Sequence, residues 1–223
     1  AIMADEFEGD FGEEQKKMQA FLTSPEWKRT TAQGWGVNRA ETAEIFTANQ
    51  MYIRKFPDRA ASLLGKLHCQ HYGLPSFGKR LAAATREFVP FTGDPAGWFA
   101  QNGRFTDFSG KTIELPERTF ATHTSGKYTA ARVPLLDVIA EVLRQPDEVW
   151  LNNYDGKVFD CLNYIRFYRD KAINVVCRIE NGKTLAVRTW FEIAIRPTTR
   201  SGGKMAPEKD PRLKYRRGLL VKK

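Results

Sequence analysis

The residues with the most chemistry to offer lie between His123 and Trp190. His123 is the one histidine in the second half of the chain, and Lys127 follows four residues later. Imidazole is the side chain suited to both taking and giving a proton at neutral pH. A lysine at that spacing can share a helix face with it and hold a phosphate, if the helix begins early. Further on, Arg166 suits bidentate phosphate contact. Tyr164 and Trp190 offer rings on which the bases of a single strand can stack. Together these types meet the needs of RNA cleavage without a metal. A base takes the proton of the ribose 2′-OH, and that oxygen attacks the adjacent phosphorus. An acid protonates the departing 5′ oxygen, and cations stabilise the phosphorane. The RNA supplies its own nucleophile, so no Ser or Cys triad is needed. No carboxylate cluster suggests bound magnesium, and no cofactor is expected. Each residue also has a plain structural reading: His123 as a capping or core histidine, Lys127 as a surface lysine, Trp190 as a core ring.

The elements that must position them can be read from periodicity. In HTSGKYTAARVPLLDVIAEVLRQPDEVWL, Thr124, Ser125 and Gly126 form a turn before a helical run. Leu135, Ile139, Val142 and Leu143 then recur on one apolar helix face, and Pro146 and Asp147 stop it. Val149–Leu151 predicts a short strand. YIRFYRDKAINVVCRIE predicts strands around a turn or bulge at Asp170–Ala172, and Asn181-Gly182 is a hairpin signal. In TLAVRTWFEIAI, Leu185, Val187, Thr189, Phe191, Ile193 and Ile195 alternate onto one face, with Arg188, Trp190 and Glu192 on the other. A helix then covers one side of an antiparallel sheet. Any open face carries Tyr164, Arg166, Tyr168, Arg188 and Trp190, all candidates for contact with RNA.

The order of these motifs carries a resemblance. A His precedes a helix ending in PDEVW, three strands follow with the middle hairpin at NG, a strand contains RTWF, and RRGLLV closes the chain. The second half resembles the phage-associated branch of the barnase–EndoU–colicin–RelE (BECR) nuclease superfamily. Related domains form the tails of Mu F-like head proteins and the toxin tips of contact-dependent inhibition systems. The resemblance implies an α+β domain, its first helix packed on a twisted antiparallel sheet of about four strands. It implies a metal-independent endoribonuclease toxin that cleaves tRNA or another structured RNA in the bacterial cytoplasm, exported or delivered within a larger protein. It further implies an acidic cognate immunity protein over the basic cleft and a catalytic His before or on the helix, hence His123. A hydroxyl residue on the RTWF strand matches Thr189. Strict alternation puts Thr189 with Val187 and Phe191 on the core side, so a bulge turns it, that face lines the cleft, or Arg188 acts instead. A second reading is a non-catalytic nucleic-acid-binding module of a phage head or packaging protein.

Charge supports a polyanion partner. Residues 1–117 hold 14 Lys and Arg against 15 Asp and Glu, net −1, while residues 118–223 hold 21 against 11, net +10. That asymmetry points to nucleic acid for the second half. Residues 200–223 carry nine basic and two acidic residues. Lys214, Arg216 and Arg217 there attract phosphate, either from a solvated tail or from a last strand around Leu219–Val221. The chain has 223 residues with 42% hydrophobic and 27% charged content, enough for one large or two small folded domains. No apolar run approaches the roughly 20 residues of a membrane span. AIMADEFEGD is acidic where a signal peptide has a basic region, so no signal peptide is expected.

Residues 11–90 read as a helical N-terminal domain able to dock a host protein. Residues 91–117 read as a linker or ordered loop and a short hairpin, and residues 118–223 as the basic α+β domain. His68 and His71 flank Cys69 at metal-pair spacing, but no nearby carboxylate completes a ligand set. Three cysteines without CxxC spacing argue against a disulfide framework, and Cys161 and Cys177 read as small core residues.

Overall fold

A computed structural model of the chain describes residue 69 and residues 72–152, 161–180, 184–194, 215–216 and 219–223. The helices expected in residues 11–67, the His68/His71 pair, the Asn181-Gly182 turn, Lys214 and Arg217 lie outside these residues.

Local signals start most of the helices. Ser76 caps α1 (Phe77–Ala83) by accepting from the Lys79 amide at 3.3 Å. Asp94 caps α2 (Pro95–Gln101) by accepting from the Gly97 amide, with Pro95 in the first turn where its missing N–H costs nothing. Pro116 sets the start of α3 (Glu117–His123). The helical run expected after residue 126 is broken into pieces. A 3-10 turn at Gly126–Tyr128 leads into α4 (Thr129–Arg132), another spans Val133–Leu135, and α5 (Val138–Arg144) follows. Pro134 explains the second break, because it has no N–H to donate and its ring crowds the carbonyl four residues back. The apolar face read from the sequence holds: Leu135, Ile139, Val142 and Leu143 are all buried. Each such side chain contributes roughly 1.5–3 kcal/mol of burial.

Seven strands form one sheet: β1 (Arg104–Thr106), β2 (Thr112–Glu114), β3 (Glu148–Asn152), β4 (Cys161–Tyr168), β5 (Lys171–Glu180), β6 (Thr184–Ile193) and β7 (Leu219–Lys222). Their order is β1-β2-β6-β5-β4-β3-β7. All neighbours run antiparallel except β2 and β6, which pair in parallel at Leu185 and Ala186. The α+β class expected from the sequence is correct, and the count of about four strands is corrected to seven. β1 and β2 are three residues each, too short to show a period, and β7 joins β3 across a long stretch of chain. The stretch read as loop and hairpin, residues 91–117, supplies α2, β1 and β2 to this sheet and its core.

Both faces of the sheet are covered, which the sequence did not show. All eight residues of β4 are buried. On one face, α2, α3 and α5 pack Trp98, Phe120, Ile139, Val142 and Leu143 onto Leu162, Tyr164, Tyr168, Val175, Val187 and Trp190. On the other, Phe77 of α1 and Tyr72 pack against Phe167 and Trp150 at ring separations of 5.4 and 5.6 Å. Cys69, Cys161 and Cys177 are buried and form no disulfide. No helix of the described residues is long and apolar enough to cross a membrane.

The irregularity that matters most lies in β6. Thr189 pairs with Val176 and Val187 with Cys177, which leaves Arg188 as an extra residue between them. This bulge shifts the alternation by one. Leu185 and Val187 face the α5 side, and so does Trp190 beyond the bulge. Phe191 and Ile193 join the opposite cluster around Phe77 and Trp150, and Thr189 shares their side. The uninterrupted face from Leu185 to Ile195 expected from the sequence is therefore split within the described residues: the bulge separates Thr189 from Val187 and sets it on the face opposite Trp190.

Candidate active site

His123 occupies the last turn of α3, not the entrance of the following helix. Pro116 starts α3 upstream of the visible apolar period, and the turn through Gly126, at φ 56°, ends it. Phe120 anchors the helix by stacking on Phe99 with ring centroids 4.4 Å apart. This placement sets the imidazole chemistry. Nδ1 lies 2.8 Å from the Thr119 carbonyl oxygen. A carbonyl only accepts, so Nδ1 carries the hydrogen and donates. Nε2 is then the nitrogen left to accept or return a proton. The ring packs on Trp190 at 5.2 Å and beside Tyr128 at 5.9 Å.

Two more side chains, both cationic, gather around Tyr128. Lys127 Nζ lies over its ring, 5.1 Å from the centroid. The Arg132 guanidinium lies between two rings, 6.0 Å from that of Tyr128 and 5.2 Å from that of Phe191. Strand pairing explains how Arg132 gets there. β2 covers the edge of β6 only at Leu185 and Ala186. Further along that edge, Arg132 donates from a guanidinium NH to the Trp190 carbonyl, and Trp190 Nε1 donates back to the Arg132 carbonyl at 3.0 Å. This exchange satisfies an edge that would otherwise lack partners. Burial lowers the Arg132 pKa, opposed by the nearby Tyr128 and Tyr215. Among the described residues no carboxylate pairs with Lys127 or Arg132. The His123 imidazole thus shares the surroundings of Tyr128 with two cations that no carboxylate among the described residues pairs with.

A model of the family described as phage-Barnase-EndoU-ColicinE5/D-RelE like nuclease2 matches residues 87–221. The chain belongs to this family. No curated protein and no solved structure matched it. The match takes in α2 to α5 and the sheet as far as Val221 of β7, while α1 lies before its first residue.

Within this nuclease domain, the other residues singled out from the sequence fall in three places. Arg166 does not join His123 and Lys127. It is 5% exposed, and its guanidinium donates to the Gln145 carbonyl, to Glu141 at 2.9 Å and to the Gln145 side chain. It holds the C-terminal end of α5, where orphan carbonyls need donors. The open aromatic face is also corrected. Tyr164, Tyr168 and Trp190 share a face as expected, but that face lies under the helices, and the three are 0, 1 and 0% exposed. The Tyr164 hydroxyl donates to Asp107 at 2.8 Å. Burial, then the nearby Cys177 and Asp107, pushes its pKa well up, so it stays a neutral donor. No base can stack on these rings without opening the core. Arg216 is buried at 1% exposure against Glu148, at 2.7 Å, and is not free to meet phosphate.

Arg188 and Thr189, at the bulge, are half-buried and lie two and one residues before Trp190 on β6. Sequence reasoning missed Arg132 and Tyr128 altogether. Their only signal was position: both lie within nine residues of His123, in a segment read as plain helix. The described residues hold no cluster of three or more His, Cys, Asp or Glu side chains suited to a metal ion.

Proposed function

We propose that the domain is a metal-independent endoribonuclease. The single observation that supports this best is the His123 imidazole, its Nδ1 committed to the Thr119 carbonyl and its Nε2 left for chemistry beside Lys127 and Arg132. In this reading Nε2 takes the proton of the ribose 2′-OH. The 2′ oxygen bonds to phosphorus and the bond from phosphorus to the 5′ oxygen breaks. The proton now on Nε2 passes to that departing oxygen. Lys127 and Arg132 stabilise the charge that builds on the phosphorane oxygens. The products are a 2′,3′-cyclic phosphate and a 5′-OH end. Arg132 takes the part that sequence reading assigned to Arg166, and neither Thr189 nor Arg188 is given a step.

The substrate in this proposal is tRNA or another structured RNA, in keeping with net +10 over residues 118–223. The biological setting is a toxin acting in a bacterial cytoplasm, restrained by an acidic partner that covers the cations. The test is incubation of the full chain with total tRNA in EDTA, beside His123→Ala. Discrete products with cyclic phosphate ends from the wild type alone support the proposal. Equal cleavage by both removes His123 from it. Salt-sensitive binding without cleavage by either favours the non-catalytic binding module.

A further inference from the structure

We infer that Tyr128 is the stacking platform for a nucleobase next to the scissile phosphate, an inference that rests on the ribonuclease reading and adds a base-binding residue to it. Tyr128, at 37%, is the one exposed Tyr, Trp or Phe among the described residues. A single exposed ring is ordinary on a protein surface, and what distinguishes this one is its place beside the candidate base and two cations. Its position follows from the backbone. The 3-10 turn Gly126–Tyr128 projects from the break between α3 and α4, and Gly126 at φ 56° makes that break.

The surroundings fit a base with a phosphate on either side. His123 is 5.9 Å from the ring, Arg132 6.0 Å and Lys127 Nζ 5.1 Å. Arg132 is fixed by the Trp190 carbonyl and by the Phe191 ring, so it is a rigid cation at the rim. Lys127 is exposed, and its ammonium lies over the ring by cation–π attraction. A base that takes this ring face moves the ammonium outward to the phosphate, where it gains a stronger partner. Stacking on an aromatic ring flanked by cations is how single strands are held without strict sequence preference. Tyr128 therefore replaces the buried Tyr164 and Trp190 in that role.

The test uses a single-stranded deoxyribo-oligonucleotide carrying 2-aminopurine, whose fluorescence falls on stacking. Without a 2′-OH the strand cannot be cleaved by the proposed route, so binding is read apart from catalysis. The full chain, Tyr128→Phe and Tyr128→Leu are compared at equal bound fraction, measured by anisotropy of an end label. Quenching by the wild type and Tyr128→Phe, lost in Tyr128→Leu with Kd rising about 5- to 150-fold, supports the platform. Quenching unchanged in Tyr128→Leu overturns it, and so does the absence of quenching in the wild type. The tRNA assay keeps the two readings separate. Quenching without RNA cleavage upholds the platform and removes the nuclease, whereas cleavage without quenching does the reverse.

Discussion

One hydrogen bond, from His123 Nδ1 to the Thr119 carbonyl, decides which nitrogen can work. It leads to a sharp expectation for substitution. His123→Ala should lower kcat by about 10²–10⁴-fold, the usual worth of a general acid–base group, and leave the Kd for RNA within a few-fold. Single-turnover cleavage with parallel filter binding separates the two, and a loss seen only in binding would remove the proton-transfer role. Arg132→Lys keeps the charge but loses the planar fork and the fit between two rings. We expect cleavage to fall about 10- to 100-fold, a portion of what one positioned charge donor supplies. Cleavage at wild-type rate by Arg132→Lys would show that only charge is needed there. His123 and Lys127 were legible in the sequence because residue type and spacing sufficed. Arg132 was not, since its partner Trp190 lies 58 residues away and only β6's uncovered edge brings them together.

At the scale of elements, the bulge in β6 sorts the site residues between the two faces. If Arg188 were counted into a regular ladder, Trp190 would fall on the face where Phe191 now lies; the extra residue keeps Val187 and Trp190 on one side. Deleting Arg188 leaves the pairs of Val187, Thr189 and Trp190 as they are, so Trp190 should stay in the core and cleavage should persist. Trp190→Ala should instead cost about 3–5 kcal/mol, as for truncation of a buried Trp, and lower cleavage, because His123 loses the ring it packs on. Urea melts and the tRNA assay check this, and a deletion variant as destabilised as Trp190→Ala would mean that the bulge does more than set the register. The alternation of β6 was readable, but a bulge leaves no mark in a single strand. It exists only in the pairing of Val176 with Thr189 and Cys177 with Val187.

At the scale of the molecule, one buried carboxylate ties together distant parts of the chain. Glu148 on β3 accepts from Arg216 at 2.7 and 2.8 Å, from Arg80 of α1 at 3.0 Å and from Trp150 Nε1 at 3.0 Å. Arg216 also donates to the Pro75 carbonyl at 2.8 Å. Residues before the matched family region are thereby fastened to the sheet and to the C-terminal tail. Arg216→Ala leaves Glu148 buried with fewer partners and should cost about 3–5 kcal/mol in urea unfolding. A loss under 1 kcal/mol would mean water or another cation satisfies Glu148. The same site sets a pH dependence. Burial pushes the Glu148 carboxyl up, but the Arg216 hydrogen bonds and charge, then Trp150 and Arg80, outweigh it and hold it below the ordinary value. Its contribution is complete above the ordinary carboxylate range and is lost as pH falls through the lower folded value. Thermal melts from pH 7 to pH 3 should show Tm falling less steeply in Glu148→Gln than in the wild type. Parallel curves would place the acid sensitivity elsewhere.

The sequence by itself determined what depends on near neighbours. The apolar face of α5, the hairpin strands β4 to β6, the basic second half and His123 with Lys127 all follow from side-chain type and short-range period. Tertiary structure alone decided what depends on pairing across the chain. It set the seven-strand order with β2 parallel to β6, the cover on both sheet faces, the burial of Tyr164, Arg166 and Arg216, and the exposure of Tyr128 beside Arg132. The physical reason is that an aromatic or cationic side chain on an alternating strand looks the same whether water or a helix lies above it. What covers a face is set by contacts between segments far apart in sequence, and no local pattern encodes them.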